Sequence, residues 1–260
     1  MAENRDKMAA LLVLQALFPL LKVVMGDNRK IKSKFEGVKG KVQFIARDSD
    51  GDIGACLVFD NGKLEVVHGV IENPDITFEF ANIKRMVKML GGKPALFRLR
   101  GIRNIGLLLK LLALLMNLTL LMPAAKPKDP EKKRLKVKLS IYMMAAALSK
   151  YNKLGDPEIN AWTEKQPERI YQFSVSGEED IAAYLRVKAG KTQAGPGLYS
   201  RRKPFVHMKF RGVDEALPIL VNDINMVKAV EQGYLALEGS PEYSRDIGNF
   251  LIRIQGLVMG

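Results

Sequence analysis

The sequence is poor in the residues that build disulfides and transition-metal sites: its 260 residues include one cysteine and two histidines. The lone Cys56 excludes an internal disulfide, which suits a reducing compartment. Two histidines and one cysteine do not make a metal-ligand set, so no metal site and no cofactor are expected. Glycine-rich phosphate motifs are also missing, because Gly101 and Gly106 lack the middle glycine of the dinucleotide-binding pattern. An enzyme is therefore the least expected class of function.

Three local patterns resemble chemical sites, and each is better interpreted as structure. Residues 48–52 resemble a calcium loop, but the glycine comes two places early and Phe59 stands where a bidentate Glu is needed, so we expect a hairpin turn. Cys56 and His68 lie in predicted strands without a positioned third group, which favours buried or half-buried strand residues over a reactive thiolate. His207 stands alone in another predicted strand.

Basic residues exceed acidic residues, and the formal net charge is +13. Residues 1–122 hold 19 Lys and Arg against 12 Asp and Glu, and the clusters at 132–134 and 201–203 are wholly basic. Such a surface favours anionic membranes, acidic ligands or nucleic acid. No stacking aromatics are interleaved with the basic residues, so nucleic acid is not expected as a partner. Transient contact with an anionic membrane surface stays open beside plain solvation of the charges.

Neither end of the chain carries a targeting signal, so a cytoplasmic location is expected. An apolar run near the N-terminus, residues 8–25, has only Gln15 and Lys22 as polar residues and contains Pro19. It is at or below the roughly 20 residues that span a bilayer, and Pro19 removes a backbone hydrogen bond that lipid cannot replace. The run therefore predicts a buried or ligand-lining helix, with a surface-lying membrane helix as the alternative.

The most apolar helix is predicted from residue 107 to residue 122, where the only polar residues are Lys110, Asn117 and Thr119. One narrow helical stripe holds small and polar residues: Gly106, Lys110, Ala113 and Asn117. The remaining circumference is Leu and Met, and a sheet can hide only one face of such a helix. The other face requires a second layer, a partner, a membrane or a bound apolar ligand.

Between these two helices the apolar residues alternate, which predicts a sheet followed by a helix. Strands are expected over residues 41–45, 53–59, 64–68, 75–80 and 97–100, and a helix over residues 83–90. The Asn61-Gly62 pair indicates a tight hairpin, and Asn82 is a suitable N-cap for the helix. The first strands are expected to follow one another as a meander.

The second half of the chain repeats this plan after residues 123–134, which combine three prolines with a run of charge, as exposed linkers do. Gln172-Phe173 matches Gln43-Phe44. Further matches pair residues 181–187 with 53–59, 205–210 with 75–80, 213–220 with 83–90, 237–239 with 99–101, and 247–248 with 105–106. We therefore predict an α+β chain of two tandem domains, residues 1–122 and 135–260, each with an antiparallel sheet of about five strands covered by helices.

Two segments of the first half resemble the sterol carrier protein 2 family of lipid-binding domains. Residues 75–90 are similar to the family's strand and helix, and residues 99–111 to its glycine turn and final apolar helix. Residues 225–239 resemble the segment before that turn, in a more divergent second copy. The likeness covers most of both halves as pattern and order. It implies an apolar tunnel between sheet and helices for a fatty acyl, phospholipid or sterol-like ligand, and no catalytic residues.

The residues expected to line the tunnel of the first domain are apolar: Met86, Val87, Leu90, Phe97, Leu107, Leu108, Leu111, Leu112, Leu115 and Met116. Hiding a sixteen-carbon acyl chain at ~0.8 kcal/mol per methylene recovers on the order of 12 kcal/mol before ordering costs. The same residues are also explained as ordinary core, because Leu and Met at helical spacing usually just pack.

Three functions stay open on the sequence alone. The first is non-catalytic binding, with intermembrane transfer, of a fatty acid, phospholipid or sterol-like ligand. The second is a structural or accessory protein whose apolar helices meet across domains or in a homodimer. The third is a peripheral membrane protein that combines basic charge with amphipathic helices.

Overall fold

A computed structural model describes residues 2–258 of the chain. The chain divides into two compact units, Met1–Leu118 with Gln255–Gly260, and Thr119–Ile254. Each unit contains one five-stranded sheet together with helices, which confirms the α+β class. The predicted division into residues 1–122, 123–134 and 135–260 stays a prediction.

The first unit begins with helices, continues through four strands and one helix, and ends in a fifth strand followed by a helical segment. Its helices are α1 (Ala2–Leu12), α2 (Leu21–Asp27), α3 (Arg29–Lys34), α4 (Ile83–Leu90) and α5 (Ile105–Leu115). Its strands are β1 (Lys39–Ala46), β2 (Ile53–Asp60), β3 (Lys63–His68), β4 (Ile76–Phe80) and β5 (Arg98–Arg100). The turns that join or extend these helices are a π-helical turn at Val13–Leu17 and 3-10 turns at Phe18–Leu20, Ile102–Asn104 and Met116–Leu121.

The apolar run at residues 8–25 is helical throughout and largely buried, as predicted. Its path is not one regular α-helix, because Pro19 lies in the 3-10 turn between α1 and α2 and cannot donate the backbone hydrogen bond of a regular helix. Phe18 packs edge-on against Phe44 of β1 at a ring distance of 5.0 Å, and Phe44 stacks on Phe78 of β4 at 4.7 Å. These rings tie the N-terminal helices to the sheet.

The order of the strands corrects the predicted meander. The sheet runs β3-β2-β1-β4-β5, so β4 pairs with β1 and not with β3. The β1–β4 pair is parallel while its neighbours are antiparallel, and the sheet is therefore mixed instead of wholly antiparallel. The chain leaves β3 at one edge and crosses to the far side of β1, because a parallel neighbour needs such a crossover.

The crossover after β3 is held by the buried side chain of Gln43 on β1. Its Nε2 donates to the backbone oxygen of Gly69 at 3.2 Å, and its Oε1 accepts from the backbone N–H of Ile71 at 3.0 Å. The same Nε2 lies 2.8 Å from the oxygen of Phe44 and 3.1 Å from that of Ala55. One glutamine side chain thus forms hydrogen bonds with backbone groups of a segment that is not paired with any strand.

The second unit repeats the topology of the first. Its strands are β6 (Arg169–Val175), β7 (Glu178–Lys188), β8 (Lys191–Pro196), β9 (Val206–Phe210) and β10 (Leu235–Gly239), in the order β10-β9-β6-β7-β8. Its helices are α6 (Pro130–Lys153), α7 (Pro157–Glu164), α8 (Val213–Leu220), α9 (Met226–Glu231) and α10 (Pro241–Val258). The last residues of α10, from Gln255 onward, are counted with the first unit. The single parallel pair is β6–β9, at the place that β1–β4 takes in the first unit.

Gln172 repeats the role of Gln43 in this second sheet. Its Nε2 donates to the oxygen of Gly197 at 3.3 Å, and its Oε1 accepts from the N–H of Tyr199 at 2.9 Å. The crossover between β8 and β9 is therefore held by the same side chain in the same way. This shared device supports the repeat that the sequence predicts.

Residues 123–134, predicted as an exposed linker, include the first residues of α6. Asp129 caps α6 by accepting from the N–H of Lys132, and Pro130 occupies the first turn, where it needs no hydrogen bond. The segment is also anchored. The buried ammonium of Lys136 donates to three backbone oxygens, those of Leu120, Met122 and Ala125, at 2.7 to 2.9 Å.

Candidate functional site

The glycine turn and α5 follow β5 as the sequence pattern predicts. Gly101 takes the left-handed conformation with φ of 79°, and this lets the chain turn from β5 into the 3-10 turn at Ile102–Asn104. α5 then packs against α2 and α3 of the same unit. Leu107, Leu111 and Leu114 form its buried face, at steps of four and three residues.

A second apolar face of this helical segment is open to solvent. It consists of Ile102, Ile105, Leu109, Leu112 and Met116, which are 43 to 69% exposed. We call these five residues the α5 stripe. Single exposed apolar side chains are ordinary, but five at alternating steps of three and four on one helix form a continuous patch. Among residues 2–258, other residues therefore cover one face of α5 and leave the second face exposed.

The polar residues of α5 lie beside its buried face. Asn117 donates to the backbone oxygen of Ala113 at 2.9 Å, and its Oδ1 lies 3.4 Å from the Nδ2 of Asn28, the N-cap residue of α3. Lys110 and Ala113 are half-buried. The predicted polar stripe is therefore turned partly toward the unit, which leaves aliphatic side chains at the surface.

The ten residues predicted to line a tunnel do not share one environment. Met86, Leu107 and Leu111 are buried, whereas Phe97, Leu112 and Met116 are exposed. The other four are half-buried: Val87, Leu90, Leu108 and Leu115. Three members of the α5 stripe, Ile102, Ile105 and Leu109, are missing from the predicted set. Their spacing is visible in the sequence, but which face of the helix is covered is not.

Phe97 connects the surface to the aromatic core of the first unit. It is 42% exposed, yet its ring lies 5.4 Å from that of Phe78 and 5.8 Å from that of Phe80. Since Phe78 stacks on Phe44, an unbroken row of rings runs from the buried sheet to the segment just before β5. An apolar molecule at Phe97 would therefore contact a side chain that packs on the aromatic core of the unit.

Two stretches are long and apolar enough to cross a membrane on length and composition alone, Asn4–Asp27 and Ile102–Leu121. They differ in burial: 61% of the apolar window is buried in the first and 17% in the second. The first is thus a core helix of its unit. The second has an open apolar face and is the segment that needs a functional explanation.

The structure places the other chemical candidates in structural roles. Cys56 is buried, and burial raises the pKa of its thiol to about 11, so the reactive thiolate is disfavoured. The β2–β3 register pairs His68 with Ala55, which puts His68 on the sheet face opposite Cys56.

No group of three or more metal-ligating side chains occurs within residues 2–258. A surface depression of about 400 Å³ beside Asn152 and Thr192 in the second unit is polar and does not suit an acyl chain.

Ser174, His207 and Glu238 lie on three neighbouring strands of the second sheet, a juxtaposition that the sequence does not predict. Ser174 Oγ is 2.7 Å from His207 Nε2, and His207 Nδ1 is 3.7 Å from the Glu238 carboxylate. Hydrolases use the same three groups, but they need a serine that substrate can reach. Ser174 is only 5% exposed, so we interpret the contact as the partnering of two polar groups inside the sheet.

Burial lowers the pKa of His207 more than Glu238 raises it, and this predicts a pH dependence. The unfolded chain then binds the proton more readily than the folded chain does. The free energy of unfolding should therefore fall as pH drops from about 8 through the unperturbed value near 6.5. Chemical denaturation across this range should show a smaller pH slope for His207→Gln than for wild type. Equal slopes for wild type and His207→Gln would contradict the assignment.

Comparisons with known proteins add no family. No family model matches the chain, and no curated protein does. Among solved structures, the chain is similar to an inverting sec-alkylsulfatase from Pseudomonas sp., at 15% identity and a TM-score of 0.26, and to a double mutant of that sec-alkyl sulfatase, at 13% and 0.27. Each match covers 67% of this chain and 30% of the other, so the chain spans less than a third of those proteins. At these TM-scores the likeness carries no argument about fold or activity.

Proposed function

We propose that the protein binds lipid without catalysing a reaction, and that the first unit contacts the apolar part of the lipid through the α5 stripe and its neighbours. The observation that carries the proposal is the exposure of five aliphatic side chains on one helix face. A soluble surface rarely keeps such a patch without a use for it. The resemblance of residues 75–90 and 99–111 to sterol carrier protein 2 domains points to the same class of ligand.

The energetics suit reversible binding. Each methylene of an acyl chain that leaves water contributes ~0.8 kcal/mol, and each aliphatic side chain that becomes covered contributes roughly 1.5–3 kcal/mol at most. The α5 stripe is already partly covered, so the gain lies below that maximum. The entropy cost of ordering the ligand offsets part of this free-energy gain. The resulting moderate affinity suits a carrier that can both take up and release its ligand.

Phe97, Leu112 and Met116 are the predicted lining residues that a ligand can reach without a rearrangement, because they are exposed. Leu107 and Leu111 are buried and would meet a ligand only if α5 moved away from α2 and α3. Met86, on α4, is buried as well. Fatty acyl, phospholipid and sterol-like ligands all remain within the proposal. Transfer between membranes is the activity that fits such a carrier.

Native mass spectrometry of the purified full chain, followed by solvent extraction, tests the proposal. We expect a stoichiometric apolar molecule, and we expect a delipidated sample to gain thermal stability from oleic acid. Leu109→Gln/Leu112→Gln should lose most of that gain, whereas Val70→Gln, which changes an exposed apolar residue outside the stripe, should keep it. Lipid binding would be overturned if the native mass equals that of the chain alone, the solvent extract contains no lipid, and neither oleic acid nor cholesterol raises the thermal stability. A defined dimer in the same spectra would favour the packing alternative.

A further inference from the structure

The stretch of chain that contains the α5 stripe carries charge of one sign only. Between Glu79 and Asp129 the sequence contains no acidic residue and ten basic ones. Seven of these basic residues lie in the first unit before α5 and are exposed: Lys84, Arg85, Lys88, Lys93, Arg98, Arg100 and Arg103. Basic residues close to an apolar patch attract anions and repel another patch of the same kind.

The arginines lie next to the start of the stripe in the chain. Arg98 and Arg100 belong to β5, the edge strand, and Arg103 lies in the 3-10 turn between Ile102 and Ile105. Arg100 is 2.7 Å from Glu79, which neutralises one charge of the set. Arg98 and Arg103 are the other two exposed arginines close to the start of the stripe in the chain.

The helix that matches α5 in the second copy is α10, and two of its positions that correspond to the α5 stripe are covered. Ile247 corresponds to Ile105 in the repeat and is 0% exposed, against 59%. Ile254 corresponds to Leu112 and is 4% exposed, against 43%. The charge differs as well, because Glu238 stands where the first copy has Arg100. The second copy thus covers these two apolar positions and has an acidic residue at one of the basic ones, while Arg245 keeps the charge of Arg103.

We infer that the α5 stripe docks flat on an anionic lipid bilayer, with the aliphatic side chains in the interface and the arginines at the headgroups. This inference rests on the proposed lipid binding, and it names the surface from which lipid would be collected. An apolar helix face flanked by basic residues binds such an interface with acyl burial and charge attraction combined. A membrane-spanning α5 is disfavoured, since Leu107, Leu111 and Leu114 are packed inside the unit. A second copy of the chain is disfavoured too, because two identical basic surrounds would repel each other.

Flotation of the full chain with vesicles tests the docking. Vesicles of phosphatidylcholine alone are compared with vesicles that also contain phosphatidylglycerol, at low and at high salt. We expect binding to the vesicles with phosphatidylglycerol, and we expect salt to weaken it. Leu109→Gln/Leu112→Gln should weaken binding by roughly tenfold to a hundredfold, and Arg98→Gln/Arg103→Gln by roughly tenfold.

Two variants serve as matched controls. Val70→Gln removes an exposed apolar side chain from the crossover, and Lys63→Gln removes a charge from β3, the strand at the opposite edge of the same sheet. Each should change vesicle binding by less than about twofold, since neither belongs to the proposed surface. Circular dichroism confirms that every variant is folded, which is expected because all the changed residues are exposed.

The outcomes separate this inference from the proposed function. Extracted or added lipid that binds the chain, together with no flotation on either kind of vesicle, overturns the docking and leaves lipid binding intact. Equal binding to both kinds of vesicle overturns the role of the arginines. Flotation that Lys63→Gln weakens as much as Arg98→Gln/Arg103→Gln overturns the assigned surface. A dimer that Leu109→Gln/Leu112→Gln dissociates, without flotation of the wild type, overturns the bilayer as the occupant.

Discussion

Replacing Gly101 by alanine is expected to lower the free energy of unfolding by about 3–5 kcal/mol. Gly101 has φ of 79°, which L side chains adopt only at a cost, and an added Cβ would clash with the backbone oxygen of Asp75. That oxygen precedes β4, so it cannot yield without disturbing the β4–β5 pairing. Denaturation followed by circular dichroism measures the loss, and the first unit should unfold at a lower denaturant concentration.

Gly106→Ala is the matched control for this change. Gly106 lies inside α5, five residues further on, and an added Cβ there meets no atom within 4 Å. Alanine also loses less backbone entropy than glycine when the helix forms, so this variant should gain about 0.5–1 kcal/mol. Gly239→Ala should behave like Gly101→Ala, because its Cβ would clash with the backbone oxygen of Phe205. A Gly101→Ala variant as stable as wild type would contradict the turn.

Most helices and strands could be predicted because each has a local signal. The hairpin between β2 and β3 needs two residues with positive φ, and Asn61-Gly62 supplies them with values of 47° and 79°. The side chain of Asn82 caps α4 by accepting from the N–H of Arg85 at 3.0 Å. Such signals act within a few residues, so a single sequence is enough to read them.

The order of the strands could not be predicted in the same way. Whether β4 joins β3 or β1 depends on where the chain crosses the sheet, and the hydrogen bonds that decide this link Gln43 to residues 26 and 28 positions away. The repeat of Gln-Phe in the second half is visible in the sequence and was a sign of common structure. The role of the glutamine, which is to form hydrogen bonds with the crossover, becomes visible only in the structure.

The candidate surface was predicted in part. The apolar excess of α5 showed that a cover was needed, but the sequence does not say which face the unit already covers. Leu108 and Leu109 are adjacent in the chain and chemically equal, yet Leu109 is 61% exposed while Leu108 is half-buried. Packing against α2 and α3 makes that distinction, and it depends on residues about 80 positions earlier.

Replacing Gln43 by leucine is expected to lower the free energy of unfolding by about 2–4 kcal/mol. Leucine has a similar size but forms none of the four hydrogen bonds of the buried glutamine, so the N–H of Ile71 and the oxygen of Gly69 lose their partner. Each polar group left without a partner inside the protein costs roughly 1–3 kcal/mol. Gln172→Leu should cause a loss of the same size in the second unit, where Gln193→Leu, at an exposed position of β8, should change stability by less than about 0.5 kcal/mol.

Amide hydrogen exchange distinguishes a glutamine that pins the crossover from one that merely fills space. If Gln43 pins the crossover, Gln43→Leu should raise the exchange rate of the Ile71 amide well before that of the β1–β2 ladder, because only Ile71 loses its acceptor. In the second unit the amide of Tyr199 should respond in the same way to Gln172→Leu. Uniform acceleration across the sheet would instead indicate a packing defect. Since the crossover brings β4 beside β1, its early opening would also loosen the parallel pair on which β5, Gly101 and the start of α5 depend.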